Sequence, residues 1–217
     1  MIESNGLKPN LQSYNNLLKA YANATNVVNN NNSIHNTNST TKDALQYYSK
    51  MLEQKIRPNN TTYSALIEIL LQSHNNDIEN DTNDNDTNSN IDRRLESALE
   101  FFYLSVKTSK TKDKYLDKRA FDLLFKRLVN SNENLAISII KGHITDKTAA
   151  QYANWLLVLL SKHLTQQSTT TNDIFEIMMK YKVYPRFSSS PSSLLLLSSL
   201  LQLYSSNDTL PIDQSYW

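Results

Sequence analysis

Short amide and hydroxyl side chains dominate the residues that could do chemistry here. The pieces Gly6-Leu7-Lys8-Pro9-Asn10 and Tyr14-Asn15-Asn16-Leu17-Leu18 return as Lys55-Ile56-Arg57-Pro58-Asn59 and Tyr63-Ser64-Ala65-Leu66-Ile67. Each copy places an Asn directly after a basic-Pro pair and a Tyr four residues after that Asn. Catalytic alternatives are thin. The chain has no Cys, which excludes disulfides, thiolate chemistry and Cys-based zinc sites. Its four His (His35, His74, His143, His163) are scattered, and two fall in Asn-rich tracts. No Gly-rich phosphate loop exists, and Glu96 and Glu100 read as ordinary surface acids on a helix. No catalytic residue, metal site or cofactor is therefore expected. Between Lys107 and Arg127 stand eight bases against three acids. That excess can attract a polyanion, weakly by itself, although charge alone fits a solvated helix face equally well.

The elements that must hold these residues are helices. Leu11, Tyr14, Leu17, Leu18 and Tyr21 share one helical stripe, and Ala44, Leu45, Tyr48, Met51 and Leu52 make a second. Tyr63, Leu66, Ile67 and Leu70 form a third, and Leu95, Ala98, Leu99, Phe102 and Val106 a fourth. Shorter stripes follow at 121–128, 135–140, 152–159 and 174–181, with a last helix expected over 194–204. Trp155 lies on such a stripe and reads as core. No stretch alternates with period two, and two Gly with five Pro argue against an all-β fold. The apolar runs 155–164 and 193–204 are about half the ~20 residues needed to span a bilayer, so no membrane association is expected. Two tracts, 23–40 and 73–90, are rich in Asn and Asp and too polar to offset the entropy of ordering. They predict disordered loop inserts at about 25–40 and about 74–91. The second tract also hides charge. Residues 77–92 hold six acids and no base, so a net charge of +1 overall conceals 22 bases against 15 acids elsewhere.

Tyr14 lies 49 residues before Tyr63, as Pro9 does before Pro58. The first tract accounts for the excess over a helix–turn–helix unit of ~34 residues. Pro cannot continue a helix, and the following Asn can cap the next. Lys182-Val183-Tyr184-Pro185-Arg186 is a degraded third copy of the turn. Helix pairs of this kind leave apolar faces that only neighbouring pairs can cover, which predicts an all-α solenoid. Gly6 to Asn10 reads as the closing turn of a unit. The chain is thus expected to open in the tail of a truncated repeat, with any targeting segment upstream.

These residues carry a family resemblance. Ser13-Tyr14-Asn15-Asn16-Leu17-Leu18, Ala44-Leu45 with Tyr48 and Met51, Ile56-Arg57-Pro58-Asn59 and Thr62-Tyr63-Ser64-Ala65-Leu66-Ile67 resemble the pentatricopeptide repeat. The match is good over 1–72, weaker over 92–129, and beyond 130 rests on helix spacing and the Pro185 turn. The tetratricopeptide alternative lacks its first-helix Gly throughout. The resemblance implies a right-handed α-solenoid of antiparallel helix pairs. Its units would be a tail at 1–10, repeats at 11–59 and 60–117, degenerate repeats at 118–148 and 149–186, and a C-terminal helix and tail at 187–217.

The resemblance also implies RNA binding, with about one base read per repeat by two or three side chains. Carried over, Asn15 with Asn59 would read one base as a pyrimidine-type pair, and Gln12 would pack against it. Ser64 with Asp117 would read the next as a guanine-type pair, with Thr61 packing. Asn10 would close the preceding repeat. Asp122 with Thr148 and Ala153 with Arg186 are not standard reading pairs. Lys112, Lys114, Lys118 and Arg119 would contact phosphate. The expected partner is single-stranded RNA, with other RNA-processing proteins beside it and no small-molecule substrate. The family works mostly in mitochondria or plastids, on transcript processing, stability or translation. Asn-rich inserts suggest an AT-rich protist or fungal genome, which favours mitochondria. The alternatives are a protein-binding helical-repeat scaffold and the recognition subunit of an RNA-processing enzyme.

Overall fold

Helix starts in this chain are built by a repeated local device. In the computed structural model, which describes residues 8–30, 37–72, 87–109, 116–163 and 169–183, Asn10 caps α1 (Leu11–Asn30). Its Oδ1 accepts the Ser13 N–H at 3.0 Å, and its own N–H donates to Ser13 Oγ at 3.4 Å. Asn59 caps α3 (Asn60–Gln72) in the same way, exchanging N–H bonds with Thr62 at 3.1 Å each. This is the reciprocal arrangement of a capping box, with a hydroxyl where Glu usually stands. Pro9 and Pro58 precede the two caps.

The device that ends helices recurs as well. At the end of α2 (Thr37–Glu53), Lys55 adopts a φ of 57°. Its N–H reaches Leu52 O at 2.9 Å, and the Ile56 N–H reaches Met51 O at 3.0 Å. At the end of α8 (Thr169–Lys180), Lys182 has a φ of 53°. Lys182 N–H donates to Met179 O at 3.2 Å and Val183 N–H to Met178 O at 2.8 Å. Both are Schellman closures with a buried Met three residues inside the helix end. Lys occupies the left-handed position where glycine is favoured.

Between these ends lie α4 (Thr87–Thr108), α5 (Lys118–Ser131), α6 (Glu133–His143) and α7 (Ala149–His163). No strand occurs among the described residues. The chain forms two compact units, 1–136 and 137–217, with the division inside α6. In the first unit α3 is central. Ten of its thirteen residues are buried, because α1, α2, α4 and α5 all pack on it. A helix covered on every side can be apolar on every side. Thus α1, α3 and α5 stand in one layer, with α2 against α1 and α3, and α4 against α3 and α5. This is the stacked helix-pair order of an α-solenoid. Two hydrogen-bonded links set the register of α1 on α3. Thr62 meets Asn15 near one end and Thr25 meets Gln72 near the other, so the two helices run in the same direction. Tyr48 of α2, Tyr63 of α3 and Phe101 of α4 join the layers, with ring centroids 5.3 Å and 6.2 Å apart. In the second unit α7 packs on α8. Tyr152, Leu156 and Leu159 are buried there, as are Ile174, Phe175 and Met178.

The polar tracts are narrower than expected. The helix α1 continues to Asn30, and α2 begins at Thr37, inside the span 25–40 assigned to a disordered insert. Thr25 is buried, and its Oγ1 donates toward Ala22 O and Gln72 Oε1, each at 2.8 Å. Composition counts such a Thr as polar, but a carbonyl one turn back and a glutamine from α3 satisfy it. Likewise α4 begins at Thr87, inside the span 74–91. The rest of both tracts, the 187–217 segment and residues 1–7 lie outside the described residues.

Candidate nucleic-acid interface

The layer α1, α3, α5 places the turn before each helix against the first turns of the helix preceding it. Asn15 sits one turn inside α1, and Asn59 caps α3. The Asn15 Nδ2 donates to Asn59 Oδ1 at 3.2 Å. Thr62 closes the group, with its Oγ1 2.6 Å from Asn15 Oδ1. One layer further on, Ser64 sits one turn inside α3, and Asp117 is the residue before α5. The Asp117 N–H donates to Ser64 Oγ at 2.8 Å. The structure therefore brings together both pairs that the sequence suggested, at equivalent places in successive layers.

Burial divides each pair. Asn15 is 3% exposed and Ser64 1%, whereas Asn59 and Asp117 are half-buried. The turn residue is the one that reaches solvent, and the helix residue supports it. The pairs also differ. Thr62 is buried against Asn59, but Ala120 stands at the corresponding place after Asp117, which makes no side-chain cap bond. The Asn10 cap is exposed. Gln12 is exposed and donates to Asn16 Oδ1 at 2.7 Å, and Thr61 is half-buried.

Charges line the same layer one turn further along. Glu68 follows Ser64 by four residues, and its Oε2 lies 3.4 Å from Arg119 Nε. Burial pushes the Glu68 carboxyl above its ordinary range, and nearby Asp117 adds to that. Arg119, a hydrogen bond from Gln72 and the charge of Lys19 pull it back. Lys118 points outward and pairs with Asp122 at 3.2 Å. So two of the four expected phosphate contacts, Lys118 and Arg119, already hold carboxylates. The other two, Lys112 and Lys114, lie outside the described residues, as does Arg186. Thr148 is buried in the turn entering α7, where its hydroxyl accepts the Thr145 N–H at 2.8 Å. Asp122 is held by Lys118, and Ala153 is half-buried.

Sequence reasoning missed Thr62 and Glu68. The signal for Thr62 was the shared spacing of Asn10-Leu11-Gln12-Ser13 and Asn59-Asn60-Thr61-Thr62. Among the described residues, no cluster of three His, Asp or Glu side chains could hold a metal ion, and no helix is long and apolar enough to cross a membrane.

Residues 1–72, which carry Asn15, Asn59 and Ser64, match the family model of the pentatricopeptide repeat domain. Members of that family are generally RNA-binding and non-catalytic. No curated protein matches the chain.

Proposed function

From the pentatricopeptide repeats in residues 1–72, we propose that this protein binds single-stranded RNA with base selectivity and without catalysis. The observation that carries the reading is the recurrence of one arrangement in two successive layers. Asn15 with Asn59 and Ser64 with Asp117 each join a buried polar residue of one helix to the turn before the next. Two such half-exposed polar edges can meet two successive bases, as expected of a one-base-per-repeat reader. Gln12 and Thr61 flank them and would pack against the base planes. Basic residues about α5 would contact phosphate and make binding sensitive to salt. The cellular role we propose is processing, stability or translation of mitochondrial transcripts.

Titration of the purified protein with single-stranded RNA pools at two salt concentrations tests the reading. The expected result is a base preference that survives higher salt while total affinity falls. Affinity that depends on salt alone, with no base preference, would leave only a basic protein binding a polyanion and would refute the proposal.

A further inference from the structure

The orientation of the Asn59 amide is dictated by its surroundings. Its Oδ1 accepts the Thr62 N–H at 3.1 Å and the Asn15 Nδ2 at 3.2 Å. A backbone N–H can only donate, so the amide cannot be turned over. Its oxygen must face the start of α3, and its NH2 group faces away from it. Thr62 orients the neighbouring amide by the same means. The Thr62 hydroxyl accepts the Asn59 N–H at 3.1 Å and lies 2.6 Å from Asn15 Oδ1, to which it donates. Thr62 is fully buried, and Asn59 Oδ1, also within reach of that hydroxyl at 3.1 Å, is farther than Asn15 Oδ1 and already accepts two N–H groups. The Asn15 oxygen is thereby committed to Thr62 and its nitrogen to Asn59.

We propose that Thr62 is a positioning residue for base selection. Its N–H sets the Asn59 amide, and its hydroxyl anchors the Asn15 amide that donates to the same oxygen, so the NH2 of Asn59 is the group presented and this position favours a base edge that offers acceptors. Pyrimidine O2 and cytosine N3 are such acceptors. Thr62 belongs to the next helix, so the hydroxyl that anchors Asn15 behind the Asn59 amide is supplied by the neighbouring repeat. The position after it lacks the device. Asp117 has Ala120 in place of a hydroxyl residue and carries a carboxylate, which can only accept. The proposal rests on the RNA-reading function above.

The test compares wild type with Thr62→Val, Thr62→Ser and Asn59→Asp. Each is incubated with a randomised single-stranded RNA pool, the bound fraction is sequenced, and folding is followed by circular dichroism. Wild type is expected to show an acceptor-edge preference at one position. Thr62→Val keeps the N–H that orients Asn59 but removes the hydroxyl that anchors Asn15, so it should reduce that preference about fivefold while leaving the preference at the adjacent position unchanged, and Thr62→Ser should restore it. Asn59→Asp keeps the cap and exchanges a donor for an acceptor, so it should move the preference toward edges with donors. If Thr62→Val folds and keeps the wild-type profile, the positioning role is overturned. Should Thr62→Val not fold, Asn59→Asp decides, and a preference that does not move overturns the proposal. Wild type without any base preference would refute the RNA-reading function itself, and the positioning role with it.

Discussion

At the scale of single residues, Tyr63 and Lys55 show how position overrides ordinary behaviour. Burial raises the Tyr63 phenol from 10 to about 12, helped by the hydrogen-bonded Tyr48 hydroxyl beside it. The folded chain thus holds this proton more tightly than the unfolded one. The stabilisation is complete below pH 10 and is lost as pH rises through about 12. Alkaline titration of tyrosinate absorbance should show a late component that Tyr63→Phe removes. Near neutral pH the same substitution keeps the ring against Phe101 and loses one hydrogen bond, about 1 kcal/mol in urea denaturation. Lys55 is exposed and sits at a φ of 57°, a conformation costly to any residue with a Cβ. Lys55→Gly should stabilise the protein by about 1 kcal/mol, whereas a β-branched residue there should destabilise it. A melting temperature that Lys55→Gly does not raise would show the turn relaxing out of the left-handed region.

At the scale of elements, the two Asn caps make the contrast. Asn10 is exposed and, among the described residues, its side chain bonds only Ser13 of α1, so Asn10→Ala should cost about 1 kcal/mol. Asn59 caps α3 and also partners the buried Asn15 amide, so Asn59→Ala should cost about 2–3 kcal/mol. Equal losses in urea denaturation would mean that the bond between the helices contributes nothing. The difference also marks the limit of what the sequence makes legible. The period of Tyr14, Leu18, Leu66 and Leu70 identifies the helices, because one face of each must be apolar. Pro58-Asn59 identifies a helix start, because the geometry of a cap is local. Whether Asn15 reaches solvent is not local. It is buried where α3 packs on α1, and its oxygen meets Thr62, 47 residues away. Where α1 runs past Ala22 into the Asn tract, Thr25 likewise finds its partner in Gln72 of α3, which no inspection of residues 23–30 alone could supply.

At the scale of the whole molecule, charge decides how binding should respond to salt. The chain is nearly neutral because residues 77–92 hold six acids, yet its bases exceed its acids everywhere else taken together. Both proposed reading pairs lie in the unit 1–136, as do Lys118 and Arg119. These two bases are not equivalent. The Lys118 side chain is 90% exposed, and its partner Asp122 is partly exposed. Phosphate can displace that partner at little cost, since exposed pairs contribute about 0–1 kcal/mol. Arg119 holds Glu68, whose carboxyl is largely buried, so drawing Arg119 toward phosphate would leave a poorly solvated charge behind. Lys118→Gln should therefore weaken binding to every RNA alike and lower the slope of log affinity against log salt by about 0.7, with stability unchanged. Arg119→Gln should leave that slope nearly unchanged, destabilise the fold and push the Glu68 pKa higher still. Salt titrations of both variants, read beside their urea midpoints, check the assignment. If Arg119→Gln lowers the slope as Lys118→Gln does, then Arg119 releases Glu68 on binding, and the ion pair is part of the RNA contact rather than of the scaffold.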